Sequence, residues 1–272
     1  MKQIDARTIL RHQPPFRFIE TVYLTSQSRA TAHVPSVPPM APWAQSAGLS
    51  VLPVEYAAQL MGVLIRNASG DTKAAGVLAG VTEFTWDYLA KPLSSVEVRT
   101  AGTRNAFHDF KADFFDQQGI VCAQMAGYIH MSQGQDSAPV IAHLTQKSDA
   151  PLYDVLSFSR DADEVTMSLR TRPDCPVYAG HFPDAPITPG VLIAEMMLDA
   201  ATRNHPQTTL HRISDLMFKR PLFPGDIAEI RLRPTGEHSF SATLLRDGKR
   251  LARAKLELAP VKTPDLLQSH HS

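Results

Sequence analysis

A histidine and a carboxylate lie in one short, turn-rich segment of the chain. Residues 178–195 read YAGHFPDAPITPGVLIAE, and the three prolines and two glycines predict a loop that leads directly into a helix beginning at Gly190. A helix N-terminus presents unpaired backbone N–H groups and a partial positive charge, which can polarise a carbonyl oxygen. A neutral histidine such as His181, a buried carboxylate and this helix start are the parts needed to remove an acidified α-proton and expel a β-hydroxyl group.

Two nearly all-apolar runs predict one buried helix in each half of the chain. They cover residues 50–65 and 190–202, and a helix that is apolar nearly all round is a buried one. Aligned without gaps, the two runs place Glu55 opposite Glu195, so each helix carries one carboxylate. A lone buried carboxylate is costly unless it is paired or used in chemistry.

The remainder of each half is typical of antiparallel strands. In the second half, GDIAEIRLRP, HSFSATLLRD and KRLARAKLELA alternate between apolar and polar residues, with Asp247-Gly248 as a hairpin turn. In the first half, VEVRTAGTR, DFKADFFD and VCAQMAGYIHM hold the corresponding places, and His33 and His108 are interpreted as strand residues. One buried helix with an antiparallel meander, present twice, predicts an α+β fold in which a sheet wraps a helix.

A polar stretch low in aromatic residues separates the two repeats. We predict a first domain over residues 1–131, a linker over 132–150, a second domain over 151–262 and a flexible tail over 263–272. The two domains have similar length and the same order of elements, which indicates an internal repeat.

Composition limits the class of protein. Lys+Arg and Asp+Glu number 27 each, so no charge excess predicts binding to nucleic acid or to a membrane surface. Cys122 and Cys175 form neither a disulfide framework nor a metal-ligand spacing. No apolar run reaches the roughly 18–20 residues of a membrane span, and the polar N-terminus is unlike a signal peptide. We expect a cytoplasmic protein without a metal site, and exposed sheet edges favour a homo-oligomer.

The motif GHFPDAPITPGVLIAE resembles the signature of the β-hydroxyacyl-acyl carrier protein dehydratases, which have the hotdog fold. FKRPLFPGD, residues 218–226, resembles the strand and loop after the helix in that family, and ILRHQPPFRFIETV, residues 9–22, resembles its N-terminal helix and turn. The resemblance implies a double hotdog, each half an antiparallel sheet wrapped around a long central helix. It also implies dehydration of β-hydroxyacyl thioesters to trans-2-enoyl thioesters, in fatty-acid or polyketide synthesis. The substrate would be linked to the phosphopantetheine of an acyl carrier protein, and no metal or organic cofactor would be needed.

Paired hotdog domains of this family share their active sites, with the histidine from one domain and the carboxylate from the other. The resemblance therefore pairs His181 with Glu55 as catalytic residues. Glu195 would face the position of Ala41, which stands fourteen residues before Glu55 where a histidine would be required. One working site per chain is expected. The histidine-lacking first half also resembles one partner of the paired dehydratases of aryl polyene biosynthesis.

Neighbouring residues on the helices could support this chemistry. Glu195 is the alternative partner for His181, because the sequence does not decide which carboxylate completes the site. Gln59, one helical turn beyond Glu55, is expected to orient it.

Two further groups could bind the substrate. The N–H of Gly190 is a candidate donor to the thioester oxygen, and the N–H of Val51 or Ser50 competes for this role. Lys219 and Arg220 are candidates for contacting the phosphopantetheine phosphate or the carrier protein.

Other functions fit part of the sequence. A hotdog acyl thioesterase would use a helix carboxylate to activate water and would not need His181. A non-catalytic acyl-binding assembly module fits the degenerate first half and would bind acyl thioesters without turnover. An isomerase that moves the double bond is disfavoured, because related isomerases tend to have Asp where this chain has Glu. The sequence leaves open the length of the acyl chain and whether the substrate must be linked to a carrier protein rather than to coenzyme A.

Overall fold

A computed structural model of the protein describes residues 1–34, 51–70, 75–86, 92–132, 150–161 and 163–261. The first half contains β1 (Lys2–Asp5), a 3₁₀ turn (Ala6–Thr8), β2 (Thr21–Ser26), β3 (Arg29–His33), α1 (Leu52–Ser69), β4 (Ala75–Trp86), β5 (Leu93–Arg104), β6 (Phe107–Asp116) and β7 (Val121–Ser132). The second half contains β8 (Tyr153–Arg160), β9 (Val165–Thr171), α2 (Val177–Gly180), α3 (Gly190–Asn204), β10 (Thr208–Phe218), β11 (Ile227–Gly236), β12 (Ser239–Arg246) and β13 (Lys249–Pro260).

The described strands form one continuous 13-stranded antiparallel sheet. Its order is β1-β2-β3-β5-β6-β7-β4-β10-β13-β12-β11-β9-β8. Counted outward from the central pair of β4 and β10, the two halves repeat the same order of strands, so β7 corresponds to β13, β6 to β12 and β5 to β11. The predicted α+β fold with an internal repeat is confirmed.

Each half packs its long helix against its own part of the sheet, and the two helices contact each other. Helix α1 has Pro53 in its first turn and ends at Gly70, whose φ of 68° is left-handed. The predicted range 50–65 was therefore wrong at both ends. Arg66 and Ser69 are polar but continue the helix, and the apolar pattern alone could not reveal this.

Local turn chemistry was predicted more accurately. Asp247 and Gly248 have φ values of 51° and 69°, the two positive values that a type I′ hairpin requires. His33 and His108 lie in β3 and β6, as predicted. The predicted linker and tail fall almost wholly outside the described residues, so the division into domains stays a prediction. Within the described residues, no helix combines the length and apolar character required to cross a membrane.

The junction between the halves depends on buried side chains of the central strands. Phe84 of β4 is opposite Ile213 of β10, is fully buried and contacts the ring of Phe114. We predict that Phe84→Ala lowers the free energy of unfolding by about 3–5 kcal/mol, because it leaves a cavity at this junction. The control, Phe107→Ala at a 39% exposed position, should cost about 1 kcal/mol or less. Chemical denaturation measures both, and equal losses would contradict the prediction.

Candidate active site

His181 lies on a loop that hydrogen bonds hold on both sides of the residue. Its own N–H donates to the Val177 carbonyl at 2.9 Å, and its Nδ1 is 2.8 Å from the Ile187 carbonyl oxygen. Because a carbonyl can only accept, Nδ1 carries a proton and Nε2 keeps a lone pair. The hydroxyls of Tyr178 and Thr188, 2.9 Å apart, close the loop behind it.

The N-terminal segment of the first half covers this loop. The Gln13 N–H donates to the Gly180 carbonyl at 2.8 Å. A Cβ at Gly180 would lie 2.5 Å from the Gln13 carbonyl oxygen and 2.5 Å from the Phe16 nitrogen, so only glycine permits this approach. The ring centroids of Phe16 and His12 then lie 5.0 and 5.3 Å from that of His181. One wall of the site is therefore supplied by the other half of the chain.

Glu55 of α1 reaches the same place. Its Oε1 accepts a hydrogen bond from Gln59 Nε2 at 2.9 Å and lies 3.6 Å from His12 Nε2. His12 thus lies beside both Glu55 and the ring of His181, so the histidine and the carboxylate predicted to pair have this side chain as a common neighbour. These two residues come from different halves of the chain.

Gln59 holds Glu55 against the N-terminal segment. Its Nε2 donates to the Phe16 carbonyl at 2.8 Å as well as to Glu55, and its Oε1 accepts from the backbone of Phe18 and Ile19 at 3.0 and 3.4 Å. Both polar atoms are engaged on two sides, so the amide has one orientation. Gln59 stands where the sequence predicts, one turn beyond Glu55.

Burial determines the charge state of the site. His181 and Glu55 are only 5% and 4% exposed. Burial raises the pKa of Glu55 to about 8, against a smaller lowering effect of the Gln59 hydrogen bond. Burial also lowers the pKa of His181 to about 4, against a smaller raising effect of Ile187. At neutral pH the imidazole of His181 is therefore uncharged and the carboxyl group of Glu55 protonated.

Phe182 is held in a conformation that non-glycine residues rarely adopt. Its φ is 55°, in the left-handed region. This backbone turn puts its ring centroid 4.4 Å from that of His181 and 5.0 Å from that of His12. Together with Phe16, the rings of Phe182 and His12 form an aromatic enclosure around His181.

Glu195 belongs to α3, and its carboxyl group lies at the start of α1. Its Oε1 accepts from the Val51 N–H at 2.6 Å, while Oε2 is buried with no hydrogen-bond partner in the part of the chain described. Burial raises the pKa of Glu195 to about 8. Val51 was predicted to compete for the thioester oxygen, and this is corrected: its N–H is already bonded to Glu195. Ala41, the predicted counterpart of the missing histidine, lies outside the described residues.

Comparison with known proteins decides the family. Residues 157–253 match the family model described as ApeI-like, ApeI dehydratase. The 3-hydroxyacyl-[acyl-carrier-protein] dehydratase FabZ of Burkholderia lata is 37% identical over an alignment of 108 positions that covers 34% of this chain and 68% of that protein. FabZ of Chlamydia pneumoniae is 30% identical over 122 residues, 41% of this chain and 76% of that protein. The chain belongs to the 3-hydroxyacyl-acyl carrier protein dehydratase family.

Solved structures of other proteins are similar to this dehydratase over both halves of the chain. An acyl-ACP thioesterase from Bacteroides thetaiotaomicron matches with a TM-score of 0.52 and 11% identity, covering 77% of this chain and 89% of that one. A hot dog fold protein of unknown function from Alicyclobacillus acidocaldarius matches with a TM-score of 0.52 and 12% identity, covering 93% and 99%. At such identities the likeness shows the fold alone, which is a double hotdog.

Helix α3 of the dehydratase begins at Gly190, whose N–H belongs to the first turn and has no intrahelical acceptor. A Cβ at this position would lie 2.7 Å from the ring of Phe218, so glycine lets the end of β10 approach the helix start. Lys219, the residue after Phe218, lines an open groove of about 640 Å³. The groove is lined by Lys219, Arg220, Thr243, Leu245, Gly248 and Arg250.

Sequence reasoning missed two residues of the dehydratase. His12 stands in the segment ILRHQPPF, but no local pattern connects it to the distant GHFP motif. Arg250 joins Lys219 and Arg220 in the groove only because β13 runs beside β10. Both positions depend on long-range packing.

The buried Glu195 generates a prediction about pH and stability. Its pKa is raised in the folded chain, so its contribution to the free energy of unfolding is present at low pH and lost as pH rises toward 8. Glutamine does not ionise, so Glu195→Gln does not lose stability in this way as the pH rises. The stability of the variant relative to wild type should therefore increase by about 1 kcal/mol or more between about pH 5 and pH 8.5.

Denaturation curves across this pH range measure the difference directly. Exposed Glu237→Gln is the control and should keep a constant offset from wild type. Parallel curves for Glu195→Gln and wild type would contradict the prediction.

Proposed function

We propose that the chain dehydrates β-hydroxyacyl thioesters to trans-2-enoyl thioesters at one site, formed by His181 of the second half and Glu55 of the first. The observation that carries the proposal is the placement of both side chains against His12, one as a buried neutral base and the other as a buried protonated acid. Membership of the dehydratase family supports the reaction, and the contacts support the roles.

The reaction begins at the α-carbon of the substrate. The thioester oxygen accepts a hydrogen bond from the Gly190 N–H at the start of α3, which makes the α-proton more acidic. His181 Nε2 removes that proton, because Nδ1 is held by the Ile187 carbonyl and Nε2 is the remaining base. The carbonyl hydrogen bond also stabilises the imidazolium that forms.

The reaction ends with loss of water. Glu55 donates its proton to the β-hydroxyl, the C–O bond breaks, and the electron pair of the α-carbon forms the new double bond. His181 is then protonated and Glu55 ionised, so a net proton must return from one to the other before the next turnover. The competent state requires a pH above the pKa of His181, about 4, and below that of Glu55, about 8.

The second carboxylate has a different environment. Glu195 contacts the Val51 amide, and the residue that would face it by the family pattern is Ala41 and not a histidine. A carboxyl group without a base cannot complete this elimination. Glu195 therefore braces the start of α1, and one reaction site operates per chain.

A carrier protein delivers the substrate in this proposal. The groove lined by Lys219, Arg220 and Arg250 is cationic, and Lys219 directly follows Phe218, whose ring packs against the helix start. It suits the phosphate of phosphopantetheine or the acidic surface of an acyl carrier protein. The resemblance of the histidine-lacking first half to one partner of the aryl polyene dehydratases supports an aryl polyene or related polyketide chain as the acyl group.

Replacement of His181 tests the reaction. His181→Ala should lower kcat/KM by about 100-fold or more, because it removes the base. Enoyl-thioester absorbance on a short β-hydroxyacyl carrier substrate measures the rate, and His33→Ala on β3 is the matched control. Undiminished dehydration in His181→Ala would overturn the mechanism. Release of free thiol without enoyl product would identify a thioesterase instead.

Charge reversal tests the carrier groove. Lys219→Glu and Arg250→Glu should each raise KM for the carrier-linked substrate by about 10-fold, because each converts an attraction into a repulsion. The change for a short N-acetylcysteamine thioester should be much smaller. Lys111→Glu, an exposed position on β6, is the control. Equal changes for the two substrates would place the docking surface elsewhere.

A further inference from the structure

A third polar side chain lies within the proposed reaction site. His12 comes from the N-terminal segment of the first half, and its side chain is only 10% exposed. Its Nε2 lies 3.6 Å from Glu55 Oε1, and its ring faces those of His181 and Phe182. A phenylalanine would fill the same space among these rings, so packing alone does not account for a histidine.

The contacts of Glu55 distinguish its two oxygens. Gln59 Nε2 donates to Oε1, and His12 Nε2 approaches the same atom. A protonated carboxyl group has one carbonyl oxygen, the better acceptor, and one hydroxyl oxygen, the donor. Two nitrogens directed at Oε1 identify it as the carbonyl oxygen, which leaves the acidic proton on Oε2.

His12 can play this part only as a neutral donor. Its Nδ1 is buried without a hydrogen-bond partner among the described residues, which fits a lone pair there and a proton on Nε2. Burial holds the pKa of His12 well below its ordinary value, and the positive charges of Arg66 and Arg11 act in the same direction. The distance of 3.6 Å exceeds a normal hydrogen bond, and catalytic contacts often tighten only when substrate binds.

We propose that His12 is a positioning residue for the reaction: its Nε2–H, together with Gln59, holds Oε1 of Glu55 so that the proton on Oε2 faces the leaving hydroxyl. This inference rests on the proposed function of His181 and Glu55. In this inference the N-terminal segment positions the acid, in addition to packing over the loop of His181.

The test distinguishes the effect of the N–H group of His12 from the effect of the shape of its ring. His12→Phe keeps the aromatic packing and removes the donor, whereas His12→Gln keeps an N–H at similar reach. We expect kcat to fall by about 10- to 100-fold in His12→Phe, with KM changed by less than about 3-fold. His12→Gln should recover most of kcat, and His33→Gln is the control. Thermal unfolding verifies folding, and His12→Leu replaces His12→Phe if that variant does not fold.

The pH profile of kcat/KM supplies a readout that a structural role would not change. A neutral N–H stabilises the carboxylate more than the acid, so its removal raises the pKa of Glu55. The alkaline limb should therefore move to higher pH in His12→Phe and stay in place in His12→Gln. His181, whose ring packs against His12, titrates on the acid side and so does not set this limb.

The outcomes distinguish this inference from the proposed function. Equal loss of kcat in both His12 variants with an unmoved alkaline limb would overturn the positioning role. Wild-type rates in His12→Phe would overturn it as well, while loss of activity in His181→Ala would leave the proposed function standing. Absence of dehydration in the wild-type chain would overturn both the proposed function and the positioning role of His12.

Discussion

The burial of one carboxyl group, that of Glu55, is the constraint on which the site depends. An ionised carboxylate without a full set of partners is unstable away from water, so burial favours the protonated form. Gln59 and His12 approach one oxygen without supplying a charge. The same burial keeps His181 neutral. The proposed acid and base can therefore share one site in their uncharged forms, whereas in water the proton would pass from the carboxyl group to the imidazole.

Continuity of the sheet makes this arrangement possible. Because β4 pairs with β10, the two halves are held side by side and their helices meet. Each helix then presents its carboxylate toward the other half. Glu55 lies against His12, whose ring packs on that of His181, whereas Glu195 accepts a hydrogen bond from the Val51 amide. Two carboxylates at equivalent positions thus have different partners, and the repeat is symmetric in its backbone and asymmetric in its chemistry.

The features that the sequence revealed are those set by local chemistry or by a long motif. The hairpin at Asp247-Gly248, the helix start at Gly190 and the relation of Gln59 to Glu55 each follow from residues close together in the chain. His12 could not be found in this way, because its position depends on the close approach of the N-terminal segment to Gly180. The Val51 prediction was wrong for the same reason, since its amide is bonded to a residue 144 positions away.

The central claim is that His181 works with the carboxylate of the other half. Rates of enoyl-thioester formation by Glu55→Gln and Glu195→Gln, two changes that remove one acid each from equivalent helix positions, test it most directly. The account predicts a loss of about 100-fold or more for Glu55→Gln and a change of less than about 3-fold for Glu195→Gln. Loss in Glu195→Gln with a nearly normal Glu55→Gln would contradict it, and would mean that the second half uses its own carboxylate or that of another chain.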